Sequence, residues 1–522
     1  MPSEQRLHPA TLLFDLAKHV KNFAVPALFV IFGASRSSSG PGGQSRGIPD
    51  GWEAWLMVLF VPAAIASIVR YVTFRLRYDG DELVIRSGLL FRNERHIPFS
   101  RIQNVDATQN LFHRLFNVVE VRVETGGGKE EEARLNVLPK AAFEEMRRRV
   151  FAQRARAVAV APDAPDAPNP QAPSHSGTPA PEELVHLSLR ELLLCGFLEN
   201  KGMVLIGAAY GLMWEAGLGR IFDPLVGSTV SRGFFRDLFR AIGGDGPLPI
   251  VQLAVLVAGI PVLLILVRVI SMIWALVRLY DFRLVRIGED LRSEYGLFTK
   301  VTATVPIRRV QAITISAGPL HRWLKRASVR VATAGGAGTK QQSSNVREWL
   351  APLIREDALP NLLQHIVPGF DLSTVDWQPL HPRAFRRAIK PSLVFTAIVT
   401  LGAWFLIGRG AIAVLFVLLP WTIISTQKYV THLKWADGEE VVAMRSGWLW
   451  QQTTLARVNK IQAVAMHQTP FDRRAAMARV RVDTAGAGDF SHRVDIPYLD
   501  QQIARALSAR LSAAAANTAF RW

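Results

Sequence analysis

A single cysteine, Cys195, among 522 residues excludes an intrachain disulfide framework and any multi-cysteine metal site. Twelve histidines are present, but no two stand four residues apart and no HExxH occurs, so neither a metal centre nor a cofactor is expected. The glycine-rich strings TGGGKEEEAR (125–134) and TAGGAGTK (333–340) do not make a phosphate loop. In the first, Lys129 is followed by Glu130. In the second, Gly338-Thr339-Lys340 stands out of order. No paired carboxylates stand out as catalytic, and no catalytic residue is assigned; a non-enzyme is expected. Acid is the scarcer charge. Forty-three Asp and Glu face 61 Lys and Arg, giving a net charge of +18. Such a balance calls for anionic partners. With 49% hydrophobic residues and 13 Trp, it points to a phospholipid membrane and away from nucleic acid. The N-terminal MPSEQRLHPATLLFDLAKHV has no short apolar core before a small-residue site, so no cleaved leader is expected.

What the chain has in quantity is apolar runs. About 20 such residues cross a bilayer, and six stretches approach that length in three pairs. They lie at roughly 20–34 and 53–72, 202–218 and 250–279, and 391–408 and 410–426. Each second span carries one proline: Pro62, Pro261 and Pro420. Arg268 lies near one end of its span, where snorkelling to the interface accounts for it. Basic stretches follow each pair, the first two rich in arginine and the third carrying lysine: RYVTFRLR (70–77), RLYDFRLVR (278–286) and KYVTHLK (428–434). Positive charge faces the cytoplasm. Both termini and the three long segments after the pairs are therefore expected on that side of the inner membrane.

Those three segments repeat. Gly88, Gly296 and Gly447 are each followed fifteen residues on by Gln103, Gln311 and Gln462. Eleven residues further stand Arg114, Arg322 and Arg473. Twenty-two residues past each Gln stand Thr125, Thr333 and Thr484, each closing a Val-Arg-Val-x-Thr strand. Equal spacings at four positions mark a duplicated unit. DGDEL (79–83), IGEDL (287–291) and DGEEV (437–441) read as hairpin turns. Alternation in ELVIRSGLL and VVEVRVET predicts strands, though RIQNVDATQ breaks the period of two. Each repeat ends in a helical pattern, and LHP stands before the first and third pairs, at 7–9 and 380–382.

The expected organisation is an α-plus-β membrane protein of six transmembrane helices in three pairs. Each pair is followed by a small β-sandwich or barrel with a C-terminal helix. The boundaries are 1–72 (a short lead-in helix and pair one), 73–155 (module one), 156–183 (a Pro- and Ala-rich linker) and 184–279 (pair two). Then follow 280–368 (module two), 378–428 (pair three) and 429–513 (module three).

One string carries a family resemblance. It comprises Arg86, Gly88, Leu89, Ile97, Pro98, Arg101, Ile102, Gln103, Val105, Arg114, Leu115, Val121, Val123 and Thr125. Following paired membrane helices, it resembles the bacterial membrane-flanked pleckstrin-homology-like family, in a multi-repeat form. Repeat two keeps Val305-Pro306 and Arg309-Val310-Gln311, whereas repeat three has Arg457 in place of the proline and Lys460 in place of the first Arg. The resemblance implies a seven-stranded sandwich closed by a helix, no settled biochemical activity, and a link to membrane stress and resistance to membrane-active compounds.

The candidate binding residues are basic. Thirteen Lys and Arg face seven Asp and Glu over 279–366. Arg308, Arg309, Lys325 and Arg326 cluster there in sequence, and Arg101, Arg457 and Lys460 hold related places in the other repeats. Each cation near an anionic leaflet contributes about 1 kcal/mol. The four-position signature reads as structural: an Arg can bond several carbonyls of a turn, and a half-buried Gln can tie two strands. A scaffold binding lipid head groups, a peptide or a second membrane protein of the same family is the leading expectation. A transporter or channel component is the alternative.

Overall fold

The structure, a computed structural model, describes residues 5–17, 61, 64–65, 67–69, 71–89, 92–125, 133–159, 181–199, 201–215, 250–333, 349–484 and 494–517. The predicted spans 20–34 and 53–72 fall wholly or largely outside these residues, as do most of the linker and the glycine-rich strings. The chain divides into two units. One is Met1–Thr178 with Phe298–Thr304, and the other is Pro179–Leu297 with Val305–Trp522.

In the first unit, β1 (Gln5–Arg6), β2 (Arg75–Asp79), β3 (Glu82–Ser87) and β4 (Asn93–Pro98) form a sheet in that order. The Asp79-Gly80 turn between β2 and β3 works because Gly80 takes φ +53°, open to a residue without Cβ. β1 lies before the first apolar pair and β2 after it, so LHP marks a strand end rather than the start of the module. Leu7 is buried in the core. Next come β5 (Ile102–Gln109), β6 (Val118–Thr125), β7 (Ala133–Pro139) and helix Lys140–Ala159. Leu76, Leu83 and Ile97 of the first sheet pack with Val105, Val121 and Leu138 of the second and with Phe143 and Met146 of the helix. This is a sandwich closed by its terminal helix. Each such fully buried side chain contributes about 1.5–3 kcal/mol of transfer free energy. The outer edge of β5 is occupied. Lys300, Val301 and Thr302, from the second repeat, pair antiparallel with Gln109, Thr108 and Ala107.

In the second unit, β8 (Glu182–His186), β9 (Arg283–Ile287) and β10 (Asp290–Tyr295) pair antiparallel. β11 (Lys300–Pro306), whose residues to Thr304 belong to the first unit, leads through a 3-10 turn, Ile307–Arg309, to β12 (Val310–Ala317), β13 (Arg326–Thr333), β14 (Trp349–Arg355) and helix Leu359–Ile366. The third repeat gives β15 (Gln378–Pro379), β16 (Lys434–Asp437), β17 (Val441–Ser446) and β18 (Gln451–Arg457). It continues with β19 (Ile461–His467), β20 (Met477–Thr484), β21 (Val494–Asp500) and helix Gln501–Asn517. The repeats are not walled off from each other. One sheet of seven strands runs β14-β13-β12-β18-β17-β16-β15, so the second half of repeat two and the first half of repeat three share it. β12 and β18 join them, with Ala317 opposite Gln451 and Ala312 opposite Ala456. β19, β20 and β21 form a separate three-stranded sheet. It packs on Trp435, Val442 and Met444 and on Leu507 and Leu511 of the last helix.

The irregular alternation at RIQNV has a physical cause. A β-bulge falls between Ile102 and Asn104, between Val310 and Ala312, and between Ile461 and Ala463. Gln103, Gln311 and Gln462 are thus the extra residue that bends the strand in each repeat.

Two stretches among the described residues are long and apolar enough to cross a membrane: Val257–Leu279, and Ala384–His432. The second is folded back at Gly408–Gly410 into helices Ala384–Ile407 and Ala411–His432. The Thr396 and Thr422 hydroxyls meet across them at 2.8 Å. The predicted span 202–218 corresponds to helix Lys201–Glu215, set at 68° to helix Leu189–Leu198. Arg268 turns onto the break between them, donating to the Phe197 carbonyl at 2.7 Å and the Glu199 carbonyl at 3.4 Å. Its charge therefore meets helix-end carbonyls rather than only snorkelling.

Candidate anion-binding site

Each repeat links its two sheets through a 3-10 corner: Phe99–Arg101, Ile307–Arg309 and Val458–Lys460. The corners place Arg101, Arg308, Arg309 and Lys460. Antiparallel pairing of β12 with β18 then sets the start of one strand beside the end of the other, so the second and third corners meet. Arg457 donates to the Ile307 carbonyl at 3.3 Å. Burial pushes its guanidinium down, against the pull of Glu440. Lys460 is pushed below the ordinary lysine range first by burial, then by Arg457 and Arg308. Three cations from two repeats thus bear on one another in a partly desolvated corner. An anion seated there would relieve that repulsion and raise the lowered pKa values of Arg457 and Lys460.

The other basic candidates go elsewhere. Arg101 is exposed on the first corner. The Arg309 carbonyl accepts from Gln311 at 3.4 Å. Lys325 holds a left-handed turn at φ +51°, as do Asn117 and Ala476 in the same place of the other repeats. Arg326 lies 3.7 Å from Glu191.

The signature residues have distinct fates. Gly88, Gly296 and Gly447 all take positive φ, +98°, +114° and +84°, and a Cβ on Gly447 would meet the Trp450 carbonyl oxygen at 2.0 Å. Thr125, Thr333 and Thr484 pair with Ile102, Val310 and Ile461 in matching register. Gln311 is buried and bonds its own corner, not a second strand; Gln462 is exposed. The side chain of Gln103 is outside the described residues. Arg322 donates to the carbonyls of Trp448 and Leu449, at 2.7 and 3.2 Å. It does lock a turn, but the turn of the following repeat. Arg473 is exposed.

Sequence reasoning missed a second basic hollow. A cavity of about 300 Å³ is lined by Arg387, His467, Asp472, Arg479, Arg481 and Tyr498 among others. Arg387 comes from the first turn of helix Ala384–Ile407, which is apolar enough to cross a membrane. It meets Asp472 at 2.7 Å and Thr469 at 3.3 Å. Burial raises the Asp472 carboxyl, but the Thr469 and Arg387 hydrogen bonds outweigh it and hold the pKa low. Asp495 lies 3.5 Å from Arg479 and 3.6 Å from Arg481. Arg479 and Arg481 stand two apart on β20 and so share a face, a signal the sequence carries; Arg387 is hidden at the start of an apolar run. Because its acids already answer its arginines, this hollow is the weaker anion site. Among the described residues no three His, Cys, Asp or Glu side chains are grouped to hold a metal.

Three segments, residues 23–154, 238–366 and 393–515, match the family model described as bacterial PH domain. A curated relative, the UPF0699 transmembrane protein YdbT of Bacillus subtilis (strain 168), is 23% identical over 486 residues, which cover 91% of this chain and 92% of the relative. No solved structure matches.

Proposed function

The chain belongs to the bacterial PH-domain family, and from that premise we propose that it is a non-enzymatic scaffold of the inner membrane. Six helices in three pairs cross the bilayer. The modules and both termini lie in the cytoplasm, where the basic stretches after each pair hold them. The modules bind anionic phospholipid head groups, in a role tied to membrane stress or resistance to membrane-active compounds. The observation that carries the head-group reading is the meeting of two corners: Arg457 donates to the Ile307 carbonyl at 3.3 Å, which sets it beside Arg308, with Lys460 three residues on. A phosphate is the group such a corner favours. Several weak contacts on one anchored chain add by avidity.

Native mass spectrometry of the detergent-solubilised chain, offered phosphatidylglycerol or phosphatidylcholine, tests this. The wild type should retain phosphatidylglycerol selectively. Arg308→Gln with Arg457→Gln and Lys460→Gln should lower that retention several-fold. Equal retention of the two lipids, or no change in the triple variant, would reject the head-group reading.

A further inference from the structure

The two joins between successive repeats are built to one rule. In the first, Gln109, six residues after Gln103, stands opposite Lys300, four residues after Gly296. In the second, Ala317, six after Gln311, stands opposite Gln451, four after Gly447. The register is the same to the residue. Each repeat offers the edge of its fifth strand, and the next repeat's fourth strand takes it.

Among the described residues, the rule leaves two strands over. β4 is the last strand of its sheet and β19 the first of its own. Their surroundings differ from those of their counterparts. In β18, Thr453 to Ala456 are buried, and in β12, Val310 to Ile315 are buried. In β4, Asn93 to His96 are exposed, and in β19 so are Gln462, Ala463, Met466 and His467. Arg322 caps the Trp448 and Leu449 carbonyls of the next repeat; Arg473, its counterpart, is exposed.

We infer that β19 of one molecule adds to β4 of a second copy of this chain, continuing the internal joins from molecule to molecule. The fixed register puts His467 opposite Asn93, Met466 opposite Glu94 and Val464 opposite His96. It brings Arg473 to the β3–β4 turn at Leu89, which is 63% exposed. The partner is a second copy because donor and acceptor edges sit on the same chain and already fit by the internal rule. Strand addition supplies backbone hydrogen bonds and removes two exposed edges. The contact is heterologous, so it propagates head to tail until a ring closes.

Single-cysteine chains test it in membranes. In a Cys195→Ala background, Asn93→Cys and His467→Cys are placed on separate full-length chains, co-expressed and oxidised. A disulfide between the two kinds of chain is expected. His96→Cys paired with His467→Cys, three residues out of register, should crosslink at least five-fold less. Adding Arg473→Ala to the His467→Cys chain should weaken the in-register crosslink. Absence of the Asn93–His467 crosslink, or equal yield from the out-of-register pair, overturns the inference. Light scattering of detergent-solubilised wild type gives a second readout. Mass growing with concentration agrees with it, and a monomer at all concentrations overturns it.

Discussion

β12 and β19 occupy the same place in two repeats, and among the described residues only β12 has a neighbour on its outer edge. β12 lies against β18, and Ile313 on it is 1% exposed. Among the described residues β19 has β20 on one side only, and Met466 on it is 38% exposed. The same backbone design is thus an interior at one point of the chain and a surface at another. Burial here is decided by which repeat comes next, not by the strand's own sequence.

Substitutions can break or sharpen that contrast. The largest effect is expected at the turn feeding β18. Gly447→Ala forces a Cβ against the Trp450 carbonyl and should cost more than about 3 kcal/mol. Gly80→Ala, also at positive φ but with open space around it, should cost about 1 kcal/mol. Thermal unfolding in detergent compares them, and equal losses would deny that the β17–β18 turn is closely packed. Next, Leu455→Ala empties a 2%-exposed position of the join and should cost about 3 kcal/mol. Met466→Ala on the open edge should cost less than about 1 kcal/mol in a dilute monomer. Smaller again, Arg322→Ala removes two carbonyl contacts and should cost about 1 kcal/mol. Arg473→Ala should leave the stability of the dilute monomer unchanged.

The smallest expected effect is in pH. His113 and His321 hold the same place in repeats one and two, and burial pushes both imidazoles below their usual 6.5. The His113 Nδ1 also accepts from the Asn110 amide at 3.3 Å, which favours the neutral ring. Below about pH 6.5 the unfolded chain therefore binds more protons than the folded one. Stability is whole above that pH and declines as pH falls through the lowered pKa values. In repeat three the place is taken by Asp472, whose lowered carboxyl stays charged until the pH falls below the usual carboxylate range. Its contribution is present above that range and lost only in stronger acid. His113→Gln with His321→Gln should flatten the decline between about pH 7 and 5, read by thermal unfolding. An unchanged slope would show that other groups set it.

Much of the fold was legible because it is written three times. Thr125, Thr333 and Thr484 were read as strand ends from their spacing, and the broken alternation at RIQNVDATQ marked the bulge, but Gln103 was read as a tie between strands and not as the residue that bends one. The alternation in VVEVRVET gave β6. What spacing could not give was who pairs with whom. Nothing near Ala317 or Gln451 in sequence says that they face each other, because strand pairing between repeats is a long-range choice. For the same reason proximity in sequence did not show which basic candidates the fold brings together. Arg308 and Lys325 are close in sequence and do different jobs, whereas Arg308 and Lys460 are 152 positions apart and act on each other. The lead-in strands were also missed, since β15 is two residues long and carries no alternation to detect.

Those short strands have a consequence for biogenesis. Gln378 and Pro379 precede the helices Ala384–Ile407 and Ala411–His432, yet pair with Trp435 and Lys434, which follow them. The third module's outermost strand therefore waits on the near side while the ribosome makes the whole hairpin. It can be sealed into its sheet only when the chain has returned to that side. A hairpin that failed to come back would leave the sheet one strand short.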